Sequence, residues 1–156
     1  MSARESVWDY PRPPALRPSP RLVEIVLGGE VVCRSTRSVQ VLETSHPPTW
    51  YLPRADFTEG ALTPGEGSSF CEYKGAARYL DLHGGARTAV RAGWYYPDPA
   101  PGYEDLRDRV AIYAGRVEEC RVDGVPVVPQ AGGFYGGWIT PELDGPFKGA
   151  PGTRGW

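Results

Sequence analysis

The chain has 156 residues, 17 basic against 19 acidic side chains, and a formal net charge of −2. Length and composition point to one globular domain that can bury roughly 70% of its extended surface. Twenty glycines and 17 prolines argue against an all-helical bundle, because both residues break helix interiors.

The charge balance argues against nucleic-acid binding, which needs clustered cations. Positive charge here is scattered arginine, and the chain holds just two lysines, Lys74 and Lys148. No apolar run is long enough to span a membrane. The opening MSARESVWDYPRPP has no apolar signal-peptide core. Cys33, Cys71 and Cys120 are too few and too widely spaced for a disulfide framework, so a reducing cytoplasm is the expected compartment.

Residues 1–20 carry five prolines together with Trp8 and Tyr10, which predicts an extended arm. The body, 21–128, reads as short β-strands. Leu22 to Leu27 and Val31 to Arg34 flank Gly28–Gly29, a hairpin signal. Ser38 to Glu43 alternates as a half-buried strand does, and Trp50 to Leu52 is a short strand bounded by Pro48 and Pro53. Ser69 to Lys74 alternates and stops at Gly75. Tyr79 to His83 and Arg87 to Tyr96 flank Gly84–Gly85 as a second hairpin. Residues 103–113 predict one short helix, with Leu106, Val110 and Tyr113 at i, i+4 and i+7. Asp123–Gly124 is a favoured turn between Arg121–Val122 and a run from Val125 to Val128. The last 28 residues, 129–156, hold eight glycines but also Phe134, Tyr135, Trp138, Phe147 and Trp156. So many aromatics predict a strap packed on the body rather than a solvated linker. Many short strands with one helix predict a mainly β fold, an antiparallel two-sheet sandwich or an open barrel.

Catalytic signatures are missing: no nucleophile elbow, phosphate-binding loop, zinc-protease helix motif or dinucleotide fingerprint occurs. The cysteines stand 38 and 49 residues apart, without the paired C-x-x-C that presets two zinc ligands on one turn. Neither a metal nor a cofactor is expected. What does stand out is a constellation in three blocks, ETSHPPTWYLPRAD, FCEYKGAARYLDL and AGWYYPDP.

These blocks resemble those of the domain of unknown function 427 family, also labelled nucleotidyltransferase-like, over roughly 21–113. The tail resembles an extension found in one branch of that family. The resemblance implies a compact β-tent of two steeply angled antiparallel sheets with a cleft between them, and it implies no established activity. Many β-tent proteins carry paired C-x-x-C zinc knuckles; this chain lacks them, so zinc does not transfer with the fold. The positions that match the family pattern are Glu43, Tyr51, Asp56, Cys71, Lys74, Tyr79, Trp94 and Tyr96.

The aromatics among these offer flat faces for a planar ligand, though aromatics in small β-proteins are as often ordinary core. Glu43 and Asp56 can accept hydrogen bonds, and Lys74 can hold an anion or a carbonyl. Cys71 is the plausible nucleophile, with Lys74 or His46 to lower its pKa, but the favoured reading is a buried thiol that packs as a small hydrophobe. In a regular strand, however, Cys71 and Lys74 face opposite ways. Three functions follow: a small-molecule binding module with an aromatic cleft, an enzyme using Cys71, Lys74 and Glu43 on an acyl or nucleotide-like substrate, or an interaction protein presenting its proline-rich arm. The aromatic pattern favours the first. Its partner is a small molecule, with neither nucleic acid nor membrane expected.

Overall fold

The computed structural model describes residues 4–71, 73–132, 135–149, 152–153 and 155–156; Glu72 and Phe134 lie outside the described residues. The first half of the chain forms β1 (Glu5–Ser6), β2 (Ala15–Ser19), β3 (Val23–Leu27), β4 (Glu30–Ser35), β5 (Ser38–Leu42) and β6 (Thr49–Pro53). Two long strands follow, β7 (Leu62–Cys71) and β8 (Gly75–Gly84), then β9 (Arg87–Tyr95) and β10 (Arg109–Ile112). The chain continues through β11 (Glu119–Val122), β12 (Val125–Pro126), β13 (Val128–Pro129), β14 (Trp138–Ile139) and β15 (Leu143–Asp144). Among the described residues, helix is limited to three-residue 3-10 turns.

The protein is mainly β, as its sequence predicts. A seven-stranded open antiparallel sheet runs in the order β2-β5-β6-β10-β9-β8-β7, and a four-stranded antiparallel sheet runs β12-β11-β3-β4. Two-stranded pairs, β13 with β14 and parallel β1 with β15, complete it. The hairpin turns follow from local chemistry. Gly28 and Gly29 both have positive φ (62° and 78°), the condition for the tight turn that matches strand twist. Asp123 and Gly124 (52° and 80°) do the same between β11 and β12. Gly28 serves a second purpose: a Cβ there would lie 2.0 Å from the Gly84 carbonyl oxygen, so hairpin ends of the two sheets touch at glycine.

One expected element differs. Residues 103–113 form a 3-10 turn at Glu104–Leu106 and then β10, rather than a helix. Asp108, at φ 59°, reverses the chain there. The following Val110, Ala111 and Ile112 are all fully buried in the middle of the sheet. A continuous apolar run buried on both faces is a central strand, and its helical spacing is incidental.

Strand alternation gives the seven-stranded sheet two different faces. Trp50, Leu52, Leu80, Leu82, Val110 and Ile112 join Val23, Ile25 and Leu27 of the smaller sheet in the main core. Val39, Val41, Tyr51, Ala77, Tyr79, Trp94 and Ala111 form a separate cluster on the opposite face, with Tyr96, Tyr103, Leu106 and Tyr113. The C-terminal segment contributes Trp138 to the main core, where its ring stacks on Trp50 at 6.1 Å between centroids. Trp138 Nε1 donates to the Ile112 carbonyl at 3.0 Å.

Candidate functional site

The aromatic face is organised by register. Val39 opposes Tyr51, Tyr51 opposes Ala111, Ala111 opposes Trp94 and Trp94 opposes Tyr79, one row across five strands. Ala111 is the small member, so the two large rings beside it reach over it. Trp94 Nε1 donates to Tyr51 Oη at 3.2 Å, and the two rings meet edge to face. Tyr96 and Tyr113 lie against Tyr51 and Trp94, with centroids at 6.1 and 4.5 Å.

Above this floor is a pocket of about 290 Å³. Of the eight residues singled out in the sequence, Tyr51, Tyr79, Trp94 and Tyr96 line it, as do Glu43, Cys71 and Lys74. Its position differs from the expected one. The rings belong to the cluster on the outer face of the large sheet, not to the core between the sheets. Adjacent Trp50 and Tyr51 divide the two environments, because neighbouring strand residues point oppositely.

Asp56 is not part of the pocket wall. The 3-10 turn Arg54–Asp56 carries it away after Pro53. There its carboxylate accepts Ser35 Oγ at 2.6 Å and pairs with Arg37 Nη2 at 2.5 Å. Burial works against its charge, but Arg37 and Ser35 prevail and hold the carboxyl below its ordinary range. Its role there is to anchor the β4–β5 turn.

Strand β7 ends at Cys71, earlier than the alternation to Lys74 suggests, and Tyr73 and Lys74 fall in the turn before β8. Leaving the strand frees Lys74 from strand parity, so both Cys71 and Lys74 reach the same pocket. Cys71 is half-buried against the aromatic cluster. Cys33 and Cys120 are instead buried in the main core, where burial pushes both thiols up. Among the described residues no three His, Cys, Asp or Glu side chains converge as a metal site.

Three of the pocket phenols are held neutral. Burial raises the pKa values of Tyr51 and Tyr96, and brings Tyr113 to about 12. They can donate hydrogen bonds to a ligand but cannot serve as bases near neutral pH. Glu43 Oε2 lies 3.7 Å from Arg12 Nε.

Other wall residues were not singled out as ligand-binding in the sequence. His46 donates from Nδ1 to the Thr44 carbonyl at 2.9 Å, since a carbonyl can only accept. Tyr135 stands edge-on to His46, and Lys148 Nζ lies 5.6 Å from the Tyr135 ring centroid. Buried Gln130 accepts the Gly137 N–H at 3.1 Å and donates to the Lys148 carbonyl at 2.7 Å, tying two limbs of the C-terminal segment together. His46 sits inside the ETSHPPTWYLPRAD block, a usable signal. Gln130, Tyr135 and Lys148 had none beyond the aromatic content of the tail.

The model of a domain of unknown function, DUF427, matches residues 15–123. The chain belongs to this family. The DUF427 match contains the pocket floor and the wall as far as Tyr113, while Gln130, Tyr135, Gly136 and Lys148 come from the segment beyond it. No curated protein matches the chain. Among the described residues, no helix of this DUF427 protein is long and apolar enough to cross a membrane.

Proposed function

We propose that the protein is a small-molecule binding module that takes a planar or heterocyclic ligand against the Tyr51–Trp94–Tyr96 floor. One observation carries the reading: a register-aligned row of aromatics forms the base of a pocket that also holds acceptors and cations. Its volume, about 290 Å³, is near the lower end of ligand sites at roughly 300–1,000 Å³, which suits one or two fused rings. Free thiols at Cys33, Cys71 and Cys120 suit a reducing compartment, and we place the module in the cytoplasm.

The test is a thermal-shift screen of planar heterocycles and nucleotides, followed by calorimetry on variants. Trp94→Ala should lose about 1–3 kcal/mol of binding, the usual worth of stacking on one ring. Cys71→Ser should bind within about twofold of the parent, because a thiol at the edge of the floor adds mainly volume.

A second reading is thiol chemistry on an acyl or nucleotide-like substrate. It is favoured by the presence of Cys71, Lys74 and Glu43 around one pocket. Rapid covalent labelling of Cys71 at neutral pH, with turnover abolished in Cys71→Ser and mainly KM raised in Trp94→Ala, would establish it over the binding module.

A further inference from the structure

Fifteen of the 17 basic residues are arginine, and the two exceptions, Lys74 and Lys148, both line the aromatic pocket. They reach it from separate places, the β7–β8 turn and the C-terminal segment. No described arginine is on its wall. The nine ion pairs among the described residues are all made by arginine, so neither lysine has a carboxylate within 4.0 Å there. Glu43 is the one carboxylate among the described wall residues, and Arg12 lies against it from outside the wall. The pocket therefore presents two ammonium groups beside an aromatic floor, in a protein whose net charge is −2.

Two ammonium groups without a carboxylate partner in one pocket favour an occupant that supplies the counter-charge. Lysine is suited to receiving one, because its compact ammonium swings three donors toward a carboxylate or phosphate oxygen. We infer that the occupant of this pocket is a planar ring bearing an anionic group, a carboxylate or a phosphate. The ring lies against Trp94 and Tyr96, and the anion is met by the ammonium groups of Lys74 and Lys148. This rests on the reading of the pocket as a ligand site, and it adds the charge of the ligand.

Four probes separate the possibilities: 2-naphthoate, 2-naphthyl phosphate, 2-naphthamide and 2-naphthol, titrated by calorimetry into the full chain. At least one anion should bind about tenfold or more tightly than the neutral amide, as charge-assisted hydrogen bonds imply. The tighter anion identifies the carboxylate or the phosphate source. In the double variant Lys74→Met, Lys148→Met that advantage should shrink to about twofold or less, with the neutral probes little affected. Raising salt from about 0.05 M to about 0.5 M should weaken the anions selectively. If the neutral probes bind as tightly as the anions, the charge inference fails while the aromatic pocket stands. If no probe binds, both fail. The comparison on the unaltered protein decides this even where the double variant does not fold, and single Lys→Gln variants give the same readout with less change.

Discussion

Trp50 and Tyr51 are consecutive in β6 yet belong to different cores: Trp50 stacks on Trp138 between the sheets, and Tyr51 receives Trp94 Nε1 on the outer face. A strand buried on both faces thus does two jobs with one backbone. The inward row holds the sheets together, and the outward row floors a pocket. Substitutions on the two faces should therefore separate stability from binding.

Trp138→Ala should be among the most destabilising changes in the chain. The side chain is 1% exposed, and its removal leaves a large void and takes the donor from the Ile112 carbonyl. A loss of about 3–5 kcal/mol is expected from the cavity, read as a lower midpoint in urea unfolding. A loss below about 1 kcal/mol would mean that the C-terminal segment only rests on the domain.

Gly136 offers a finer probe of the floor. A Cβ at this position would lie 2.0 Å from Trp94 Cη2, too close for both to remain. Gly136→Ala should push the indole ring aside, costing about 1–3 kcal/mol of stability by overpacking. Binding of the preferred naphthalene probe should fall together with it. Gly115→Ala is the control, because its Cβ would meet Pro129 at an ordinary 3.7 Å. Equal affinity in the two variants would remove Trp94 from the ligand's contacts.

The parts of this architecture legible in the sequence are those fixed by local chemistry. Gly28–Gly29 and Asp123–Gly124 announce their hairpins because the turns require positive φ. Residues 103–113 mislead because a short apolar run satisfies helical spacing and central-strand burial alike. What decides for β10 is its place between β6 and β9, which no local window contains. The same limit applies at the pocket. Glu43, Tyr51, Cys71, Lys74, Tyr79, Trp94 and Tyr96 come together there. Asp56, five residues beyond Tyr51, is turned away by the segment after Pro53. Lys148 arrives from a distance with no periodic pattern to announce it.

Asp56 should separate cleanly from the pocket. Asp56→Asn should leave probe binding unchanged and lower stability at neutral pH by about 1 kcal/mol, a modest value because Arg37 is largely exposed. The native carboxyl is held low, so its contribution is present above the unfolded pKa, about 3.9. It disappears as pH falls through the folded value. Stability curves of the parent and the variant should therefore converge in acid. A constant gap down to about pH 2 would assign the loss to shape rather than charge.

His46 provides the opposite case, a titration tied to the pocket itself. Burial lowers its pKa; the Thr44 carbonyl and Glu43 favour the proton, while Lys148 and Arg12 oppose it. The Tyr135 ring meets it edge-on. Because the folded pKa lies below the unfolded value of about 6.5, the unfolded chain binds more protons between the two. Stability should be full above about pH 6.5 and decline as pH falls through that window, and His46→Gln should remove this component. An anionic ligand changes the sign of the local field. Bound 2-naphthoate adds a negative charge near the ring, draws the imidazole pKa upward and couples binding to proton uptake. Its affinity should rise as pH is lowered from about 8 to about 6, while 2-naphthamide should show a flat profile. Calorimetry in buffers of different ionisation enthalpy would read the uptake directly. An unchanged naphthoate profile in His46→Gln would place the anion away from His46 and leave the lysines as its recognition groups.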